Sequence, residues 1–403
     1  MGIIFSSFNG LEPLPKLRFL EFKNTYKKTK LNEAVERIQR RDPTSEAPVM
    51  MLSAASGFIM QSEKYSRENA GQSLKKYILL RKGELAYNHG ASKYKPFGCC
   101  FELKEDEARI PYVYHCFAVK ENNDKSYIAR LLNNQKIDQQ LKRLISSSVR
   151  MDGLLNISYE EYTGIDLYLP SLLEQQKIAD FLFLVDRRIE KQRQLVESLK
   201  KYKRGLFLKL YNDSDKSIIS FKNIYEMASE GGTPSTSDSE NYENGKIPFI
   251  KIDDLNQHYL NFAKYFITEK GLKKSSAWIV PENSIIYSNG ATIGACSINK
   301  IPVTTKQGIL GIVPKSNFSV EFLYFFFTSS IFKQKIRAIT TKGTMDCAYL
   351  KDINGIKISI PDFIAQQKIA KIMVDFENLI ERTELSFIYL QNIKKALLQQ
   401  MFI

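Results

Sequence analysis

The chain has 403 residues, 43% of them hydrophobic and 25% charged, which is enough to bury two or three cores and excludes a disordered chain. Its net charge of +14 at pH 7 indicates an acidic partner, with nucleic acid the first candidate and an anionic membrane surface the second. No apolar run reaches the roughly 18 residues of a membrane span, and the N-terminus lacks the pattern of a secretion signal, which disfavours both a membrane and secretion. The five cysteines show no CxxC spacing, so we expect reduced thiols in a cytoplasmic protein.

Residues 31–170 have the pattern of a mixed α/β or β-rich domain. Short strand-like runs, VMMLSAAS from Val49, KYILL from Lys76 and GELAYN from Gly83, lie between turn signals. A helical stretch over Ser126–Ser146 follows, and IDLYLP, ending at Pro170, predicts a final strand. We call this part of the chain the first copy.

A long helix is predicted directly after the first copy, starting near the QQKIA run at Gln175. Apolar residues recur there at alternating steps of four and three for more than four heptads, which is typical of a coiled coil. The seam consists of Ile178, Leu182, Val185, Ile189, Gln192, Val196, Leu199, Lys203, Leu206 and Leu210. Polar seam residues cost stability but fix the alignment of the helices.

Residues 221–361, the second copy, repeat the same order of elements. The runs IPFIKI, WIVP, SIIYSN and GILGIVP predict strands, Val320–Ile339 predicts a helix, and IKISIP predicts the final strand. IPDFIAQQKIAKIM at Ile360–Met373 then matches LPSLLEQQKIADFL at Leu169–Leu182, displaced by 191 residues. The second seam keeps its polar members in register, and earlier segments match in order, including Tyr87 with Tyr287. Duplication of a domain-plus-helix unit is the interpretation we adopt.

The repeat predicts an α+β fold with two mixed α/β domains in pseudo-two-fold repeat and two long helices paired as an antiparallel coiled coil. We place the domains at residues 1–170 and 216–361, and the helical regions at 171–215 and 362–403. The alternative is that each helix packs only on its own domain, which a seam of this length disfavours.

Polar and aromatic clusters mark loops that are candidates for DNA contact. Asn and Gln can pair with adenine edges, Lys with guanine edges, and backbone amides with phosphates, although Gly, Ser, Thr and Asn also simply form turns. The candidates are Tyr87, Asn88, Ser92, Lys93 and Tyr94 in the first copy, and Thr233, Ser235, Ser288, Asn289, Thr292, Lys306, Gln307 and Lys342 in the second.

The sequence carries none of the catalytic motifs that DNA enzymes of known class would need. It has no Pro-Pro pair for a methyltransferase site and no GxxxxGK[ST] for an ATPase. Asp253 and Asp254, if on a strand, would point to opposite faces, and the histidines at 89, 115 and 258 lack metal-ligand spacing. We therefore expect no catalytic residues and no metal site.

In order along the second copy, the segments GGTPSTS, IPFIKIDDL, ITEKGLKKSSA, SNGATIG, TKQG and the Pro-x₄-QQKIA helix start resemble the specificity (S) subunit of type I restriction–modification enzymes. PKLRF near the N-terminus is similar to that family's opening segment. Phe249 and Lys306 depart from residues common in the family, and the first copy is less typical in its loops.

The resemblance implies that the two copies are target-recognition domains, each binding half of a bipartite, asymmetric target in double-stranded DNA. The paired helices would set the spacing and dock two methyltransferase (M) subunits beside restriction/translocase (R) subunits. We expect no cofactor in this chain; S-adenosylmethionine, ATP and Mg would belong to the partner subunits. The expected docking residues are Gln175, Gln176, Lys177, Gln366, Gln367 and Lys368. The alternatives are a self-contained DNA-modifying or DNA-cleaving enzyme with an unrecognised active site and a non-catalytic coiled-coil scaffold.

Overall fold

The chain divides into two compact units in a computed structural model. The N-terminal unit comprises Met1–Gln192 with Ser386–Ile403, and the C-terminal unit comprises Arg193–Leu385. The structure describes residues 3–5, 14–64, 71–90, 92, 95–144, 155–255, 257–290, 292–340 and 346–403. Both divisions fall inside long helices, so each unit contains one copy of the domain and part of each helix.

The N-terminal domain, residues 1–170, consists of short strands interspersed with short helices, and a long helix follows it. The strands are β1 (Ile3–Phe5), β2 (Leu17–Phe19), β3 (Lys27–Lys30), β4 (Val35–Arg37), β5 (Met50–Ser53), β6 (Gly57–Met60), β7 (Ile78–Arg81), β8 (Leu85–Asn88), β9 (Cys99–Glu102), β10 (Glu107–Ile110), β11 (His115–Val119) and β12 (Asp166–Leu169). The helices are α1 (Leu31–Ala34), α2 (Gln61–Lys64), α3 (Lys125–Leu131), α4 (Gln135–Leu144), α5 (Tyr159–Thr163) and α6 (Leu172–Asn212), with a 3₁₀ turn at Gly71–Lys76.

The second copy continues the chain with a similar series. Its strands are β13 (Lys216–Ser220), β14 (Tyr225–Glu230), β15 (Ile247–Ile250), β16 (Tyr259–Leu260), β17 (Tyr265–Ile267), β18 (Ile285–Ser288), β19 (Cys296–Asn299), β20 (Thr304–Thr305), β21 (Ile309–Pro314) and β22 (Lys357–Pro361). Its helices are α7 (Glu269–Lys273), α8 (Val320–Thr328), α9 (Ser330–Ile339), α10 (Leu350–Gly355) and α11 (Phe363–Gln400), with 3₁₀ turns at Phe221–Asn223, Ser239–Asn241 and Ile252–Asp254.

The two copies share one sheet topology. The main sheet of the first has the order β4-β11-β8-β9, and that of the second has β14-β21-β18-β19 with β16 added beside β19. In each domain the strand before the long helix pairs antiparallel with an earlier strand outside the main sheet, β12 with β3 and β22 with β13. Both final strands predicted from the sequence are thereby confirmed, and the shared order supports the duplication.

Each unit buries its sheet against a helix that the copies also share. Tyr127 and Ile128 of α3 are fully buried in the N-terminal core, and Phe322 and Phe326 of α8 are fully buried in the C-terminal core. The single helical stretch predicted in the second copy is two helices, because Ser329 takes an extended backbone (φ −71°, ψ 159°) that ends α8 and caps α9. The helical stretch predicted in the first copy is likewise two helices, α3 and α4.

Two sequence predictions about local structure are wrong. WIVP forms no regular strand: Val280 makes only an isolated bridge with Val303, and Pro281, which follows it, has no N–H for a ladder. Asp254 lies on a 3₁₀ turn rather than a strand, where its carboxylate accepts the Lys251 N–H (2.9 Å).

The two long helices are confirmed, and within each unit their segments run antiparallel. In the C-terminal unit Lys203 and Lys200 form ion pairs with Glu377 and Glu384, so numbers rise along one helix as they fall along the other. In the N-terminal unit Asp186 pairs with Lys394 (2.7 Å), while Ile178 and Leu182 pack in the same core as Met401 and Phe402, nearer the C-terminal end of the other helix.

The predicted polar seam residues thus have partners that also repeat. Lys203 and Lys394 are separated by 191 residues, and so are their partners Glu377 and Asp186. One ion pair is therefore made twice, once inside each unit. It sits among partly buried side chains, where an unpaired charge would be costly.

Candidate nucleic-acid interface

Three loops of the C-terminal unit meet at one edge of its main sheet. Glu230, at the end of β14, faces Leu310 near the start of β21, and Ser288, at the end of β18, faces Ile309. Because β14 and β18 both run antiparallel to β21, the ends of the first two strands and the start of the third share an edge. The sequence-predicted clusters GGTPSTS, SNGATIG and TKQG all emerge there.

Main-chain hydrogen bonds lock these loops together. The N–H of Gly308 donates to Glu230 Oε1 (2.6 Å), and the carbonyl of Gly308 accepts from the N–H groups of Asn289 (3.1 Å) and Gly290 (3.2 Å). Gly308 takes φ +86°, which favours glycine, and a Cβ on Gly231 would overlap the carbonyl oxygen of Thr305. The exposed side chains of the loops therefore project from a rigid backbone.

The exposed side chains of this cluster combine hydroxyl, amide and ammonium groups. They are Thr233, Ser235, Thr292, Lys306 and Gln307. Thr233 is linked to the TKQG loop, since its Oγ1 accepts the Gln307 N–H (3.4 Å). Five of the candidate residues in the second copy thus lie on one surface with groups that can contact base edges or phosphates.

Two other candidates of the second copy are buried, which corrects the sequence-based choice. Ser288 and Asn289 are both 0% exposed, because they lie where β18 enters the core rather than on the loop surface. Asn289 Nδ2 donates to the carbonyl of Ala348 (3.2 Å), and its own carbonyl accepts the Ala348 N–H (2.9 Å). Asn289 thus ties the loop to the segment before α10 and is not exposed for contact with a base.

Tyr87, the first candidate of the first copy, is also buried. Its ring is 1% exposed and stacks on Tyr162 at 3.8 Å, and its hydroxyl donates to the carbonyl of Phe97 (2.6 Å). Burial raises the pKa of the Tyr87 hydroxyl. Tyr87 belongs to the core, as does Tyr287 at the repeat-equivalent position.

Asn88 and Ser92 of the same loop are partly buried and act in turns. Asn88 Oδ1 accepts the Gly90 N–H (2.9 Å), and Ser92 Oγ accepts the Lys95 N–H (3.0 Å). Lys93 and Tyr94, with Lys342 of the second copy, lie outside the described residues.

His89 takes the place of Asn289 in the first copy. Its carbonyl accepts the Leu155 N–H (2.9 Å), and its Nδ1 lies 2.9 Å from the carbonyl of Leu155, as Asn289 bonds twice to Ala348. The structure also brings His89 and His115 together, with ring centroids 5.0 Å apart, although the sequence placed them in unrelated contexts. Burial, followed by the neighbouring His89, lowers the pKa of His115 to about 4, so this ring is neutral near pH 7.

Two basic side chains beside the C-terminal loop cluster were missed from the sequence. Lys333 of α9 is exposed, and its Cε lies 3.7 Å from the position that a Cβ on Gly294 would occupy. Arg337, also exposed, follows one helical turn later on the same face. The sequence signal that could have identified them is a pair of basic residues spaced by four on a predicted helix that leads into a polar segment. Basic side chains in such a place are suited to phosphate contact.

The expected docking residues divide into buried and exposed ones. Gln175 and Gln366 are 1% and 2% exposed, so neither is available to a partner, which corrects the prediction for both. Gln176, Gln367 and Lys368 are exposed. Lys177 is partly buried, forms an ion pair with Glu21 and lies 5.0 Å from the centroid of the Phe19 ring.

Among the residues that the structure describes, no group of three or more His, Cys, Asp or Glu side chains could hold a metal ion. All five cysteines are free thiols, four of them buried. Within the same described part of the chain, every helix is too short or too polar to span a bilayer.

Residues 214–388 match the family model described as "Type I restriction modification DNA specificity domain". This match confirms the resemblance that the segments of the second copy show in sequence.

Similar proteins carry matching names. The chain is 33% identical over 192 residues to the type I restriction enzyme MjaIX specificity subunit of Methanocaldococcus jannaschii, covering 47% of this chain and 44% of that protein. It is 29% identical over 153 residues to the EcoR124I/EcoR124II specificity subunit of Escherichia coli, covering 37% and 38%. The chain thus spans less than half the length of each of these relatives.

Solved structures extend the likeness in fold to nearly the whole chain. A chain from a study of complex assembly and conformational transition of the type I restriction–modification system superposes with a TM-score of 0.60 at 14% identity, covering 95% of this chain and 99% of that one. The S subunit of a type I system from M. genitalium gives 0.54 at 16% identity, covering 97% and 99%. The predicted α+β fold is confirmed.

Proposed function

We propose that this chain is the DNA sequence-specificity subunit of a type I restriction–modification assembly, with each copy reading one half of a bipartite, asymmetric target. The observation that carries the proposal is that the two main sheets have the same strand order, while the loops at the corresponding sheet edge carry different side chains. A shared scaffold with divergent loops suits two separate readings of DNA, since base contacts specify sequence and the scaffold positions them.

In the second copy, the exposed side chains of the loop cluster would contact bases, and Lys333 and Arg337 would contact phosphates. Thr292 and Gln307 have the hydrogen-bonding groups for base edges, and Lys306 can serve a guanine or a phosphate. In the first copy the proposed contacts are Asn88, Ser92, Lys93 and Tyr94, and Lys342 is the further proposed contact in the second.

Partner subunits would dock at the exposed first turns of the two long helices. Leu173 (72% exposed) and Ile364 (64% exposed) occupy equivalent positions, beside exposed Gln176 and Gln367. Equivalent apolar side chains at two sites suit two copies of one partner, which we propose to be the methyltransferase subunits, with restriction/translocase subunits beyond them. The catalytic groups, S-adenosylmethionine, ATP and Mg would then all belong to those subunits.

The paired helices supply the spacer in this proposal. They keep the two half-sites at one separation, and the repeated ion pairs Lys203–Glu377 and Asp186–Lys394 hold each end of the helix pair in register.

Selection from a pool of DNA duplexes with a randomised central region tests the proposal, because the pool contains every short target. The full chain should enrich two different short sequences separated by a fixed gap of unspecified bases. Enrichment of one continuous site, or of none, would contradict the proposal. Incubation of the pure chain with DNA, Mg²⁺, ATP and S-adenosylmethionine should leave the DNA unchanged, and modification or cleavage would indicate an enzyme instead.

A further inference from the structure

A buried glutamine joins each recognition domain to the long helix that follows it. Gln175 lies in the first turn of α6, and Gln366 lies at the repeat-equivalent position of α11. Because both side chains are almost fully buried, their amides must find partners inside the protein.

Both glutamines make the same two hydrogen bonds. Gln175 Oε1 accepts the N–H of Asp124 (2.9 Å), and its Nε2 donates to the carbonyl of Pro170 (3.0 Å). Gln366 Oε1 accepts the N–H of Ser319 (3.0 Å), and its Nε2 donates to the carbonyl of Pro361 (2.9 Å). In the first copy Nε2 also donates to Asn123 Oδ1 (3.0 Å).

The acceptor end of each amide holds the start of a domain helix. Asp124 is the N-cap of α3 and Ser319 is the N-cap of α8. The two N-cap residues differ, yet each glutamine bonds the backbone N–H at that position. The contact is therefore the same in both copies although the side chain of the N-cap residue differs.

These bonds fix direction as well as distance. A planar amide held at its oxygen and its nitrogen cannot rotate without breaking a bond, and the burial of both side chains disfavours replacement of that bond by water. Since α3 and α8 are packed into the cores of their domains, holding the start of either helix holds its whole domain.

We propose that Gln175 and Gln366 are positioning residues that set the orientation of each recognition domain on its long helix, and thereby the gap that the protein accepts between half-sites. This inference rests on the proposed function. Both glutamine side chains are almost fully buried, so neither should affect which bases are read.

The two copies should differ in how far they depend on the glutamine. The first copy has further contacts with α6. The buried Glu174 carboxylate accepts hydrogen bonds from Nε and one Nη of Arg18 (2.8 Å each), and Arg130 of α3 forms an ion pair with Asp186 (2.7 Å). Alanine occupies the position equivalent to Glu174 in the second copy, at 365. Loss of the amide at 366 should therefore have the greater effect.

The test is selection from randomised duplexes with the full chain carrying Gln366→Met, which keeps the side-chain length and removes both hydrogen bonds. The exposed neighbour provides the control, Gln367→Met. Gln366→Met should enrich the same two half-sites as the wild type. The preference for one gap over gaps a base pair shorter or longer should fall by about fivefold or more, since fivefold is the weight of one of the two hydrogen bonds lost. Gln175→Met should show a smaller fall, and the control none.

If the folded Gln366→Met variant kept the wild-type preference for a single gap, the inference would be overturned and the proposed function would stand. Loss of base preference in the second half-site would have the same consequence. Gln366→Asn, which keeps a neutral amide on a side chain too short to span both partners, provides the comparison if the methionine variant does not fold. A wild-type chain that enriches no split pair would overturn the proposed function and this inference with it.

Discussion

The two copies of the domain agree in their buried bonds and differ at their loop surfaces. Gln175 and Gln366 bond the same backbone positions, and Asp186–Lys394 repeats Glu377–Lys203. His89 replaces Asn289 but still bonds to the segment that follows the loop. Divergence between the copies has therefore been limited by the scaffold's hydrogen bonds and has proceeded where side chains face solvent.

The copies also differ in how they balance buried charge. The first copy buries Arg18 against Glu174, at 5% and 1% exposed, while the second has Ala365 at the equivalent place. In the first copy Asp186 pairs with two cations, Arg130 and Lys394, whereas in the second Glu377 pairs with Lys203. The copies should therefore respond unequally to equivalent substitutions.

The largest effect is expected from Arg18→Ala. It leaves the buried Glu174 carboxylate without its cation, which should lower the free energy of unfolding by about 3–5 kcal/mol. Urea denaturation of the full chain measures it. Removing both groups, as Arg18→Ala with Glu174→Ala, should cost less than Arg18→Ala alone; an equal or greater cost would show that the lone charge is not the cause.

Charge reversal at Lys203 should come next. Glutamate there faces Glu377, with the two native side chains only 23% and 27% exposed, and we expect a loss of about 2–3 kcal/mol in the free energy of unfolding. Adding Glu377→Lys should recover most of it. Lys394→Glu should cost less, because Arg130 still neutralises Asp186. Equal losses at the two positions would refute the difference between copies.

Acid should destabilise both copies through their histidines. Burial lowers the pKa of His258 to about 3 and that of His115 to about 4, both below the ordinary 6.5. The stabilising contribution of each histidine is complete above pH 6.5 and is lost as the pH falls towards those values. The loss should amount to about 2 kcal/mol for each histidine at pH 5. Urea midpoints from pH 7 to 5 measure the slope.

His258→Phe sharpens that measurement. The ring stacks between Tyr259 (4.0 Å) and Tyr324 (4.1 Å), and its buried Nε2 has no hydrogen-bond partner among the described residues. Phenylalanine should keep the stacking and reduce the acid slope. His115→Phe gives up the contact with the Ile157 carbonyl (3.1 Å) and should lower stability at pH 7 as well. An unchanged slope in both variants would contradict the assignment.

The loop surface should give smaller effects, confined to one half-site. Gln307→Ala should lower discrimination at one base position by about 1–2 kcal/mol, because a bidentate amide contact has that weight. Lys333→Ala should instead weaken binding to all sequences and reduce the salt slope by about 1. Ser288→Ala, at a buried hydroxyl, should leave base preference unchanged. Competition assays with point-mutated duplexes distinguish the three outcomes.

The sequence predicted the duplication, the long helices and the final strands because each leaves a local signal: a fixed displacement, a seven-residue period or a strand-like run before Pro170 and Pro361. It did not separate loop surface from core, since Asn289 and Tyr87 stand beside polar turn residues and their burial depends on distant packing. The repeat itself carried a hint: Tyr87 matches Tyr287 across otherwise divergent loops, as scaffold residues do.

The docking prediction was wrong at Gln175 and Gln366 for the same reason. Gln175 and Gln366 were assigned to a partner because the QQKIA run is repeated, but repetition marks any shared constraint, including an internal one. Their neighbours Gln176 and Gln367 have the same residue type and are exposed. Helical periodicity places successive residues on different faces, yet which face meets the domain is decided by tertiary packing.

Exchange of one recognition domain tests the modular reading of DNA most directly. Leu31–Pro170 would be replaced by the corresponding domain of a relative with a different target, and both chains would be put through selection from randomised duplexes. Two modular readers predict that one half-site changes while the other half-site and the gap stay the same. A chimera that changed both half-sites, or neither, would contradict the modular reading.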